Sequence, residues 1–498
     1  MASASTVAAA VQIPAERRGK AVRLRARCGR GPIGAVLIGA AGSALLLLVA
    51  GAPRASAQTL TQALAEAYNT NPQLLAQRAL LRATDEQVPQ ALSGWRPTVN
   101  VTGQVGGTRA AYIPGSPAVM GLASPDQYST FFQNQMNLQV TQPIYSGGRT
   151  IAQTRQAMNT VESTRAQTLA IETSVFQAVA MAYLDVVRDQ ALLEVDRNNV
   201  QVLREQLEAT QDRFRVGEVT RTDVAQAEAS LAQAIGTETA AEGTLAQSRA
   251  EYVRAVGHPP GILLLPRERP ALPATREEAQ SLAANNNYSV ISANFAELAA
   301  SDNINVVKSQ LLPQISLVGI LNRTVAPSVT LSSATENSGV IAAQLTWSLY
   351  EGGAIYSQTR QAEQTVGQRL SQVDDARRAA VQTATDAWET LKAARASIAS
   401  FAAAVRAAQI ALEGTQQEAL VGTATTLDVL IQNQTLLTTQ QQLITAEHDA
   451  ALAEFNLAAA TGRLTAADLH LPVQLYDMDR HFKQVRYKWA GFRGGLSE

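Results

Sequence analysis

One pattern in this chain is written twice, and it constrains the fold more than any other feature. Tyr145-Ser146-Gly147-Gly148 returns as Tyr350-Glu351-Gly352-Gly353, a spacing of 205 residues (350 − 145). The same spacing links Gly217 to Gly422, Asp223 to Asp428 and Gly257 to Gly462. Chance supplies one such pair easily, but not four in fixed register, so the fold is one unit used twice. Each Tyr-x-Gly-Gly stands where an alternating run stops and a long helical run starts. Gly147, Gly148, Gly352 and Gly353 are therefore the expected strand-to-helix turns, because glycine tolerates the sharp backbone exit that other residues resist.

Before each glycine pair the apolar residues alternate with polar ones. Met136, Leu138 and Val140 interleave with Gln135, Asn137, Gln139 and Thr141. Val99 and Val101 interleave with Thr98, Asn100 and Thr102. The second half repeats the pattern, with Ile341, Ala343, Leu345, Trp347 and Leu349 set against Gln344, Thr346 and Ser348. Period two gives a strand with one apolar and one polar face. The polar face carries amides and hydroxyls where a solvated sheet more often carries Lys and Glu. Two hairpins are expected, at about 97–145 and 313–350. Their loops, roughly 111–127 and 325–337, are rich in Pro, Gly and Ser.

After each glycine pair comes a proline-free run of 67 residues, 149–215 and 354–420. At about 1.5 Å per residue each helix would be roughly 100 Å long. Further helices are expected over 59–68, 73–95, 222–256, 275–284, 288–311 and 427–461. In the last of these, apolar pairs from Val429/Leu430 to Leu457/Ala458 recur every seven residues, the signature of helices that coil around neighbours. Aromatics are only 5% of the chain, which suits slim helix faces rather than a thick globular core.

Four amphipathic strands cannot close a barrel, and an open edge cannot lie in lipid. Membrane barrels have about eight strands or more, so copies must join: two give eight strands and three give twelve. The long helices would then prolong the barrel as a tube.

Residues 1–57 read as a signal peptide: a basic stretch, an apolar run at 33–50, then the small-residue site Ala55-Ser56-Ala57. The expected mature start is Gln58. The only cysteine, Cys28, precedes the apolar run, which excludes lipid attachment after it and leaves the mature chain without thiols. A net charge of −1 offers no field for nucleic acid. The four histidines, His258, His448, His470 and His481, lack ligand spacing and are expected on the surface. No metal, cofactor or catalytic constellation is expected, and the chain does not read as an enzyme.

With these features together, the chain resembles the TolC family of outer-membrane channel proteins over about 58–462. The motifs are the repeat, the Tyr-x-Gly-Gly exits and two tips, Arg215-Val216-Gly217-Glu218-Val219-Thr220-Arg221-Thr222-Asp223-Val224 and Val421-Gly422-Thr423-Ala424-Thr425-Thr426-Leu427-Asp428-Val429. The resemblance implies a mainly α fold with a membrane β-barrel: a trimeric twelve-strand barrel, four strands per chain, continued by a long coiled-coil tunnel across the periplasm. It implies an exit duct of a tripartite efflux pump or type I secretion system. The partners would be two further copies, a periplasmic membrane-fusion adaptor, an inner-membrane transporter (ABC or proton-driven) and outer-membrane lipid. The alternative is a periplasmic or surface coiled-coil protein without a pore.

The organisation that follows is a first repeat over 58–262, a linker at 263–273, a second repeat over 274–463 and a tail at 464–498. The tail contains Trp489 and Phe492, and the sequence gives it no role beyond wrapping the outside of the tunnel. By resemblance, Val216, Gly217, Glu218, Val421, Gly422 and Thr423 are the adaptor-docking tips, and Asp223 and Asp428 the periplasmic gate. Thr220 with Asp223, and Thr425 with Asp428, also read as helix-start capping boxes. Three positions depart from better-known members. Ile431 stands for a second acidic residue, and Ala419 and Ala424 for an aromatic and an arginine of the closed state. Arg213, Arg215 or Arg221 is expected to substitute by pairing with Asp223 or Glu218.

Overall fold

The computed structural model describes residues 58–112, 127–264, 266, 269–326 and 334–492. The expected leader with Cys28, and most of both hairpin loops, lie outside the described residues. All described residues belong to one unit.

Strands β1 (Thr98–Tyr112), β2 (Gln127–Ser146), β3 (Gln314–Ala326) and β4 (Ala334–Thr346) form one antiparallel sheet in the order β1-β2-β3-β4. Each is longer than the roughly 9–11 residues that a membrane strand requires. The register keeps apolar residues together: Val99 opposes Val140, Leu138 opposes Leu321, and Ile315 opposes Leu345. On the other face Asn100 opposes Gln139 and Asn137 opposes Asn322. There Gln135 Nε2 donates to Asn322 Oδ1 at 3.3 Å. The apolar face is bare: Val101 is 63% and Leu345 63% exposed. Among the described residues, β1 and β4 each have a free edge.

Helices α4 (Arg149–Arg215) and α8 (Ala354–Leu420) carry 67 residues each. Helix α5 (Arg221–Val256) folds back along α4, and α9 (Thr426–Ala460) along α8. Nearer the sheet, α2 (Pro72–Asp85) and α3 (Gln87–Leu92) lie on α4, and α7 (Tyr288–Lys308) packs against both α4 and α8. The stretch expected as one helix at 73–95 is thus broken at Glu86. Pro89 is the cause: its ring excludes the carbonyl four residues back, that of Asp85. A 3₁₀ turn at Ser93–Trp95 then leads into β1.

The shorter helices stack end to end through two matched asparagines. Asn71 caps α2, accepting from Gln73 N–H at 2.9 Å, and its Nδ2 donates to the last turn of α5 at Ala255 O, 3.1 Å away. Asn287 does the same for α7 and α9, accepting from Ser289 N–H at 2.9 Å and donating to Ala460 O at 3.1 Å. Each pair thereby forms a broken helix running beside its 67-residue neighbour.

The thickest core lies at these junctions. It gathers Leu60, Leu64 and Tyr68 of α1 (Leu60–Thr70), Phe176, Val179 and Tyr183 of α4, and Tyr252 of α5. The Tyr183 hydroxyl lies 2.8 Å from Gln58 O and donates at 2.6 Å to Leu264 O, so the expected mature start is tied into the core. Helix α6 (Arg276–Asn286) packs on α8. The tail carries α10 (Met478–Val485), which lies on α2.

Candidate functional site

The strand exits are built from left-handed glycines. Gly147 and Gly148 have φ of 64° and 79°, and Gly352 and Gly353 have 63° and 81°. Gly148 and Gly353 are the N-caps of α4 and α8. Gly147 has a second constraint: a Cβ there would stand 2.6 Å from Ser309 O and 2.8 Å from Leu312 Cβ.

At the far end of the long helices, each tip is a helix stop followed at once by a helix start. Gly217 at φ 83° and Gly422 at φ 82° close α4 and α8. In the first tip Gly217 N–H donates to Phe214 O at 3.1 Å and Glu218 N–H to Arg213 O at 3.0 Å. In the second, Gly422 N–H donates to Ala419 O at 3.4 Å and Thr423 N–H to Glu418 O at 2.9 Å. This is the Schellman pattern, which needs a left-handed residue after the C-cap. Val216 and Val421, the C-caps, are 72% and 76% exposed.

The starts are capping boxes in both repeats. Asp223 Oδ2 accepts from Thr220 N–H at 2.8 Å and from its hydroxyl at 2.7 Å. Asp428 Oδ2 accepts from Thr425 N–H at 2.9 Å and from its hydroxyl at 2.6 Å. The threonine hydroxyl, and then its backbone N–H, hold both carboxyls below the ordinary aspartate pKa. Both aspartates therefore stay ionised while exposed to solvent.

The expected arginine partnership does not form. Arg215 pairs with Asp212, one turn back on its own helix, and among the described residues no ion pair joins Arg213, Arg215 or Arg221 to Asp223 or Glu218. The i, i+3 spacing favours Asp212, whereas the Asp223 carboxylate is turned inward by its own cap.

Sequence reasoning missed a buried charge cluster midway along the tunnel. His448, expected on the surface, has a side chain only 6% exposed. Its Nε2 lies 3.0 Å from Asp185 Oδ1 and its Nδ1 2.9 Å from Asp449 Oδ1. Arg188 bridges Asp185 and Asp189, both at 2.8 Å, and Ser248 of α5 hydrogen-bonds Asp189. Burial works against the imidazolium, but the two carboxylates outweigh it and raise the His448 pKa. Burial likewise opposes ionisation of Asp185, yet His448 and Arg188 leave its pKa lowered. The spacing Asp185-Arg188-Asp189 was visible, but not that α9 lays a histidine across it. His481 also leaves the surface, its Nδ1 3.0 Å from the buried Asp85.

Residues 62–258 and 279–463 match the family described as outer membrane efflux protein. The two matched segments fall on the two halves of the repeat. The chain is 33% identical over 442 residues to outer membrane efflux protein BepC of Brucella suis biovar 1, covering 88% of this chain and 93% of that protein. It is 28% identical over 378 residues to outer membrane protein TolC of Vibrio cholerae, covering 74% and 83%. The crystal structure of the Campylobacter jejuni CmeC outer membrane channel superposes with a TM-score of 0.71 at 16% identity, over 86% of this chain and 89% of that one, which shows a shared fold. The chain belongs to the outer membrane efflux protein family, the TolC-like channels of the outer membrane.

Proposed function

We propose that this chain is the exit duct of a tripartite export machine, serving drug efflux, type I secretion or both. Three copies join edge to edge into a twelve-strand barrel. Their long helices continue it as a tunnel, which an adaptor and an inner-membrane transporter meet at the periplasmic end. The observation that carries this reading is the sheet: four membrane-length strands, two free edges and a bare apolar face. Such a sheet is stable in lipid only when every edge is paired. Substrate passes down the polar face, and the transporter supplies selection and energy.

The tips are the docking points for the adaptor in this proposal. Val216-Gly217-Glu218 and Val421-Gly422-Thr423 lie at the ends of the long helices opposite the strands, and each offers an exposed valine beside a fixed turn. Asp223 and Asp428 form the gate. Three copies of Asp428 would make a ring of like charge that draws cations to the entrance.

Planar-bilayer conductance of the purified protein tests the duct, and absence of single-channel steps would leave only a coiled-coil scaffold. Asp428→Asn tests the gate: cation selectivity should fall, because the ring loses its charge. Unchanged selectivity would remove Asp428 from the gate. Cysteine at position 421, cross-linked in cells, should capture the adaptor.

A further inference from the structure

The C-terminal tail leaves the repeat at about residue 464, yet it is held at points as far as Trp489. Tyr476 N–H donates to the Tyr68 hydroxyl at 2.9 Å. Asp479 pairs with Arg165 at 2.6 Å, and His481 with Asp85 at 3.0 Å. Phe482 packs with Leu81, Val88 and Val161. The chain then climbs to the foot of the sheet. Arg96 Nη1 donates to Lys488 O at 2.7 Å, and the Arg96 guanidinium stacks 5.0 Å from the Trp489 ring centre. Arg96 stands two residues before β1.

So secured, the tail does not bury its last aromatics. Tyr487 is 69%, Trp489 70% and Phe492 108% exposed. The strand feet carry exposed aromatics of their own, namely Trp95, Tyr145, Trp347 and Tyr350. Just above Arg96 begins the lipid-facing band of β1, with Val99 and Val101 bare. Leaving large apolar side chains in water is costly, and a contiguous exposed group marks a surface that meets a partner. Tyr and Trp favour the headgroup level of a bilayer, where the ring is half dry and its polar edge stays wet.

We infer that Tyr487, Trp489 and Phe492 insert into the periplasm-facing leaflet of the outer membrane, so that the tail is an accessory anchor extending the barrel's aromatic rim. The partner is a phospholipid surface, favoured over a second copy by continuity with the lipid-facing face of β1. Arg96 is the positioning residue: it clamps the Lys488 carbonyl and orients the Trp489 ring. The inference rests on the barrel's seat in the membrane.

The test uses the full-length protein reconstituted in phosphatidylethanolamine–phosphatidylglycerol vesicles whose acyl chains are brominated near the headgroup. Subtracting the emission of Trp489→Phe from that of the parent isolates the Trp489 signal, and Trp347→Phe does the same for the rim. Bromination should cut both signals by about half, as expected for rings at headgroup depth. Quenching at Trp347 but not at Trp489 overturns the anchor and spares the barrel; quenching at neither overturns both. A Trp489 signal reached by neither brominated lipid nor aqueous iodide places the ring against a neighbouring copy and also overturns it. Should Trp489→Phe fail to assemble, a nitroxide on Phe492→Cys gives an independent depth. Greater relaxation by oxygen than by a water-soluble nickel complex supports the anchor, and the reverse rejects it.

Discussion

The side-chain amide of Asn71 donates to the carbonyl of Ala255 at 3.1 Å, so that one asparagine both starts α2 and closes the end of α5. Two broken helix ends, each with unsatisfied backbone groups, are thus satisfied by one residue across 184 positions of chain. Asn287 repeats the device at Ala460.

Asn71→Ala should cost about 1–2 kcal/mol, since it removes a helix cap and leaves a carbonyl unpaired. Asn71→Asp keeps the cap but sets a carboxylate oxygen against the Ala255 carbonyl at the end of α5, so it should be no more stable than Ala. Thermal midpoints by circular dichroism in detergent give the order, and an aspartate variant as stable as the parent would contradict the splice.

The two glycine exits should differ in tolerance. Gly147→Ala puts a methyl within 2.6 Å of Ser309 O, whereas a Cβ on Gly352 meets nothing within 4 Å. Both pay the left-handed penalty of about 1–2 kcal/mol. Gly147→Ala alone must also displace the β3 approach. The yield of heat-resistant oligomer on gels should drop far more for Gly147→Ala than for Gly352→Ala.

His448 makes tunnel stability depend on pH. Its pKa is raised in the fold, so its contribution is fully present below the ordinary value of 6.5 and is lost as pH rises through the folded value. Asp185 has the opposite sign: its contribution is present above 3.8 and is lost as pH falls through the lowered folded value. The cluster is fully formed between these limits, with Arg188, Asp189 and Asp449 as its other charged members. Wild type should lose stability relative to His448→Gln as pH rises above 6.5 and through the raised folded value. Parallel curves in calorimetry would refute the linkage.

Cap and charge at the second tip can be separated. Thr425→Ala removes the hydroxyl that Asp428 N–H and Oδ2 both engage, and should cost about 1 kcal/mol while the charge remains. Asp428→Asn keeps an acceptor for the cap and removes the charge. Stability should follow Thr425 and ion selectivity should follow Asp428, read by thermal melts and bilayer recordings of the same preparations.

Features with a short physical range were readable in the residues alone. Strand faces follow from period two, the exits and tips from glycines that need positive φ, and the tip caps from Thr and Asp three apart. The repeat turned these local signals into a fold class, because two hairpins with free edges require further copies. Even the break at Pro89 was local, and a closer reading of proline's missing donor would have found it.

Tertiary structure decided what lies between segments distant in the chain. Helical periodicity says which face is buried, not which neighbour covers it. Asn71 could therefore be read as a helix start but not as the partner of Ala255, and His448 only as a histidine on a helix. The arginine pairing failed for a related reason, since the capping box had already turned Asp223 toward Thr220. The tail's course past Asp85, Arg165 and Arg96 depends on three separate anchors that packing alone brings into line.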